Sequence, residues 1–85
     1  MTREAKMLGV RERFLAGAIP VEELLLHVEP LLRELVRTKE QEEEAKKLVN
    51  AIEIAIFTQP EPARSAVIGD LLSTAVRVVR AQEAG

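Results

Sequence analysis

The sequence predicts an all-α protein, an antiparallel bundle of four helices, or of five if Pro30 or Gly69 divides one. Three observations carry this. Apolar residues recur three and four positions apart through most of the 85 residues. Gly17-Ala18-Ile19-Pro20 and Gln59-Pro60-Glu61-Pro62 punctuate that pattern where helices would have to stop. Between them, Thr38 to Phe57 opens with a helix cap and closes on a run, Ile54-Ala55-Ile56-Phe57, that is apolar on every face. A chain of this length makes one domain, residues 1–85, and buries only ~60–65 % of its unfolded surface.

The first helix is expected from about Arg3 to Ala16, with Thr2 as N-cap and Gly17 as the C-terminal stop. Met7, Leu8, Phe14 and Leu15 form its apolar side, with Val10 at the margin. Gly9 weakens the middle by ~1 kcal/mol relative to Ala, a cost that close approach of another helix would explain. Pro20 suits the first position of the second helix, and Glu22 and Glu23 suit the same end. That helix carries Val21, Leu24, Leu25, Val28, Leu31, Leu32, Leu35 and Val36, and Pro30 should kink or break it near His27–Glu29.

Thr38-Lys39-Glu40-Gln41 is a capping box: the Thr38 hydroxyl accepts from the Gln41 N–H, and the Gln41 side chain reaches back to the N–H of Thr38. Ala45, Leu48, Val49, Ile52, Ala55 and Ile56 then continue the helix to about Thr58. Val67, Ile68, Leu71, Leu72, Ala75, Val76 and Val79 give the last helix, to about Ala81, which Gly69-Asp70 could split. Ala81 to Gly85 should fray.

Composition narrows the function. The chain has no cysteine, and only Phe14 and Phe57 are aromatic, so the core is Leu, Ile, Val and Ala, unsuited to base stacking. The net charge is −2, and no dense Lys/Arg block marks a nucleic-acid face. The longest apolar run is about four residues, far short of the ~20 needed to span a membrane. Met1–Lys6 lacks the apolar core of a signal peptide, so a cytoplasmic protein is expected.

No catalytic, cofactor-binding or metal-ligating residue is assigned. His27, the only histidine, has no partner nearby in sequence to orient it for acid/base work, and reads as a boundary residue beside Leu24 and Leu31. Glu40, Glu42, Glu43 and Glu44 are a candidate partner surface, although capping and the pairs Glu42–Lys46 and Glu43–Lys47 also account for them. Glu53 stands among apolar neighbours, either at the solvent edge or paired with an arginine such as Arg77. Arg64, Arg77 and Arg80 gather the late positive charge and are the residues a DNA-binding reading would use.

Phe14-Leu15-Ala16-Gly17-Ala18-Ile19-Pro20-Val21-Glu22-Glu23-Leu24 resembles the opening of small bacterial helical proteins, some of them colicin-immunity-like, in which F-L-x-G-x-I precedes a capped helix. Lys47-Leu48-Val49-Asn50-Ala51-Ile52-Glu53-Ile54 is similar to the central helix of the uncharacterised members. Pro20 stands where that pattern has Ser or Thr, and its late aromatic and acidic positions are missing. The resemblance implies a helical fold and a protein partner, and transfers no functional residue.

The apolar stripes together exceed what a short chain can cover. A homodimer or higher oligomer is therefore expected, through Leu48, Ile52, Ile54, Ala55, Ile56 and Phe57 of the central helix and Leu71, Leu72, Val76 and Val79 of the last. The leading expectation is a non-enzymatic protein-interaction module, immunity-like or regulatory, whose partners are itself and another protein. The alternative is a small dimeric DNA-associated regulator. Nucleic acid, a membrane and a small-molecule substrate are not the expected partners.

Overall fold

The computed structural model describes residues 2–34 and 36–84. Among them are four α-helices and no strand: α1 Arg3–Leu15, α2 Leu24–Arg33, α3 Lys39–Thr58 and α4 Ala63–Ala84, with a 3-10 turn at Val21–Glu23 leading into α2. None of these helices is long and apolar enough to cross a membrane.

Each boundary has a local cause. The Thr2 hydroxyl accepts from the Ala5 N–H at 3.1 Å and starts α1. At its other end Gly17 takes φ +82°, a left-handed conformation that glycine adopts without steric cost. Gly17 N–H then reaches the Phe14 carbonyl at 3.0 Å and Ala18 N–H the Arg13 carbonyl at 2.8 Å. These two bonds are a Schellman stop. Directly after it, Ile19 turns into the core and pins the α1–α2 connection. Thr38 caps α3 by accepting from the Gln41 N–H at 3.1 Å. The Gln41 side chain accepts from the N–H of Arg37 at 2.8 Å, one residue before the Thr38 N–H that the capping box leads one to expect.

α4 is the long member. Its 22 residues span about 33 Å, close to the molecule's 36 Å length, and the other helices lie against it. α1 packs on it most extensively and antiparallel, α3 packs on its other side, and α2 closes the ring between α1 and α3. Met7, Leu24, Val28, Leu32, Ile52, Ile68, Leu72, Ala75 and Val79 are fully enclosed where the four meet.

Four expectations need correction. Pro30 does not break α2, which runs through it to Arg33. The hydrogen bond that Pro30 cannot donate would have gone to the Leu26 carbonyl, and both residues are exposed, so water can satisfy that group. Pro20 is the residue before the first helical turn rather than its first member. Leu35 lies outside the described residues, and Val36 lies beyond the end of α2.

The stripe on α1 is Met7, Val10 and Phe14, while Leu8 and Leu15 stay 42 % and 46 % exposed. Rotation by about 100° per residue moves these two leucines to the rim.

The close-approach glycine is Gly69, not Gly9. A Cβ on Gly69 would lie 3.2 Å from Leu15 Cδ2, whereas nothing stands within 4 Å of one on Gly9. Gly69 therefore serves packing and does not split α4.

Finally, α4 runs on to Ala84. Gln82 is buried there, donating to the Leu32 carbonyl at 3.5 Å, and Glu83 accepts from the backbone N–H of Glu4 at 2.9 Å. Gly85 lies outside the described residues.

Candidate interaction surfaces

The ten residues expected at an oligomer interface separate by depth. Leu48, Ile52, Ala55, Leu72, Val76 and Val79 are buried within the single chain, because α3 and α4 turn these faces toward each other and toward α1 and α2. Ile56 and Leu71 are half-buried against the same core. Two remain outside. Ile54 is 58 % and Phe57 81 % exposed, three apart and therefore on one side of α3.

Rotating by about 100° per residue puts Glu43, Asn50, Ile54 and Phe57 within roughly 60° of one another, opposite the buried Ile52. The outer face of α3 is thus acidic at its start and apolar at its end. Glu40, Glu42, Glu43 and Glu44 are all exposed. Glu42 meets Lys46 at 3.4 Å. Among the described residues no cation stands within salt-bridge distance of Glu40, Glu43 or Glu44, so the second pair read from the sequence, Glu43–Lys47, is not formed. Glu53 and His27 are exposed.

The arginines fall into two places. Arg64 sits at the start of α4, where its Nε meets Glu61 at 2.9 Å. The same carboxylate accepts from the Ser65 hydroxyl at 2.7 Å. The Ser65 hydroxyl first, and Arg64 second, hold the Glu61 carboxyl below its usual range. Arg80 lies sixteen residues further along, about 24 Å away on the helix axis, and pairs with Glu4 at 2.6 Å. Arg64, Arg77 and Arg80 therefore do not make one patch.

Arg77 and Arg80 instead share a groove with Arg11 of α1, a residue that sequence reading passed over. The groove has a volume of about 270 Å³ between α1 and α4, with Leu8, Val76 and Ser73 completing its lining. Arg11 is fixed there by donating from Nε to the Gly69 carbonyl at 3.1 Å. Its position four residues before Leu15 and three after Leu8 is the only sequence signal, and nothing in the sequence places it beside α4.

Two other concavities have similar dimensions. One, of about 200 Å³, lies between the end of α2 and the start of α3, lined by Arg33, Val36, Glu42, Ala45 and Lys46. The other, about 240 Å³, runs between α3 and α4 over Leu48, Ala51 and Val78. All three fall below the ~300–1,000 Å³ of ordinary small-molecule sites. Among the described residues no three His, Asp or Glu side chains converge as metal ligands.

The fold is that of an all-α helical bundle. The chain matches no family model, no curated protein and no solved structure. The resemblance to colicin-immunity-like proteins accordingly rests on Phe14–Leu24 and Lys47–Ile54 alone.

Proposed function

We propose that this chain is a non-enzymatic protein-interaction module, regulatory or immunity-like, that works by presenting the outer face of α3, and that a second copy is among its partners. The observation that carries this is the exposed pair Ile54 and Phe57. A large apolar side chain left in water forgoes about 1.5–3 kcal/mol of burial, and a protein partner is what recovers it. The acidic first half of the same face adds directional charge, which steers encounter and selects partners more than it strengthens binding. A cytoplasmic place of work goes with this reading and suits a cysteine-free chain.

Sedimentation velocity at micromolar concentration tests it. The wild type is expected to associate, and Ile54→Ser with Phe57→Ser to remain monomeric while keeping its helical circular dichroism. A wild type that sediments as a monomer throughout overturns the self-association.

A further inference from the structure

We propose that the α1–α4 groove is the seat for α3 of a second copy, laid antiparallel to α4. Its acidic end would meet Arg77 and Arg80, and Ile54 would rest on Leu15. This deepens the reading above, because Ile54 belongs to the same face of α3.

Three observations support the assignment. The first is charge. Among the described residues no carboxylate lies within salt-bridge distance of Arg11 or Arg77, and no cation lies that near Glu40, Glu43 or Glu44. The groove is walled by α1 and α4, whereas this acidic face is on the outside of α3, so one chain cannot bring its own two sets together. Another copy can.

The second is apolar surface. Leu8 and Leu15 flank Arg11 with 42 % and 46 % of their surface exposed, and α3 offers the still more exposed Ile54 and Phe57.

The third is length. Leu15 packs over Gly69, so it marks that level of α4, and Arg80 lies eleven residues beyond. Glu43 and Ile54 are also eleven residues apart on α3. Both separations are about 16 Å of helix, so a carboxylate at Arg80 places Ile54 at Leu15. In that direction the positive start of the incoming α3 also lies beside the negative end of α4, a favourable dipole arrangement. Groove and helix face are different surfaces, so the contact is heterologous: it closes into a ring or a reciprocal pair, or extends as a chain.

Charge exchange tests the proposal on the full chain. Arg11→Glu with Arg77→Glu makes the groove acidic, and Glu43→Lys with Glu44→Lys makes α3 basic. Each variant alone is expected to be monomeric at concentrations where the wild type associates, and an equimolar mixture to associate again. Wild-type association should also weaken on the order of tenfold or more between low salt and ~0.5 M salt.

The absence of cysteine allows a second, geometric test. Leu15→Cys mixed with Ile54→Cys should form a mixed disulfide dimer under mild oxidation in clear excess over Leu15→Cys mixed with Leu26→Cys, whose site on α2 is 74 % exposed.

A mixture that stays monomeric while both variants keep their helical circular dichroism overturns the proposal, as do equal disulfide yields. Binding of a labelled DNA duplex that is lost in Arg11→Glu with Arg77→Glu would also overturn it, by giving the groove to phosphate. If both charge variants still associate while Ile54→Ser with Phe57→Ser does not, the apolar face survives and this seat does not. The converse result removes the Ile54/Phe57 account and leaves the charged groove standing.

Discussion

Ile54-Ala55-Ile56-Phe57 near the end of α3 and Val76-Arg77-Val78-Val79 in α4 are about equally rich in apolar side chains, yet they have opposite fates. In α4 all three valines are buried. In α3, Ala55 is buried and Ile56 half-buried, while Ile54 and Phe57 face out. The difference comes from neighbours and not from the segments themselves. α4 has α1 on one side, α3 on the other and α2 across from it, whereas α3 rests only on α4 and α2. An edge helix that is apolar all round must leave part of itself in water, and that part is where a partner can bind.

Breaking the two regions should give unequal costs. Leu72→Ala, at a fully enclosed position of α4, should lose about 2–5 kcal/mol of unfolding free energy in urea. Phe57→Ser should change the monomer by no more than about 0.5 kcal/mol, with its effect falling on association instead.

The two helical glycines sharpen the contrast on the other face of α4. Gly69→Val should cost about 1–3 kcal/mol, because the added methyl groups push against Leu15. Gly9→Ala meets nothing within 4 Å and should gain about 0.5–1 kcal/mol. Gly69→Ala should be near neutral: its helix-propensity gain is offset by displacing a leucine side chain that can swing toward solvent.

At the start of α3, Thr38→Ala removes the hydroxyl held by Gln41 N–H and should cost about 1 kcal/mol in thermal unfolding.

The smallest effect concerns the tie between α1 and the end of α2. Arg3 grips Glu34 through two contacts, at 2.8 and 2.9 Å, and this hydrogen-bonded pairing, helped by Lys6, holds the Glu34 carboxyl below its ordinary value of 4.5. The folded state therefore binds this proton less readily than the unfolded chain. Its contribution is present above pH 4.5 and disappears as the pH falls through the depressed value. Melting temperatures of wild type and Arg3→Gln should differ slightly at neutral pH and converge in acid; a gap that widens in acid would contradict the pairing.

Most of the helices could be read from residue chemistry because their ends are local. Thr2, Gly17, Thr38 and the Pro60–Pro62 loop act on backbone groups within a few residues, so their signals survive without knowledge of the fold. What could not be read was phase and partnership. Five apolar side chains cover more than half the circumference of α1, so periodicity alone could not choose Val10 over Leu8 and Leu15. Gly9 and Gly69 look alike in sequence, and only the antiparallel packing of α1 on α4 brings Leu15 over one of them. The same packing brings Arg11 to Arg77 and Arg80 across more than sixty residues of chain, a juxtaposition that spacing along one helix cannot suggest. The tail at Gln82 and Glu83 was lost for a related reason, since its contacts with Leu32 and Glu4 come from the far ends of other helices.

Phe57→Trp offers the most direct test of the exposed edge, because the chain contains no tryptophan or tyrosine to obscure its fluorescence. Emission should sit at the wavelength of a water-exposed indole in dilute solution and move to the blue as protein concentration rises and the outer face of α3 is covered. Association that proceeds with no shift in that emission would show that copies meet elsewhere, and would contradict the account.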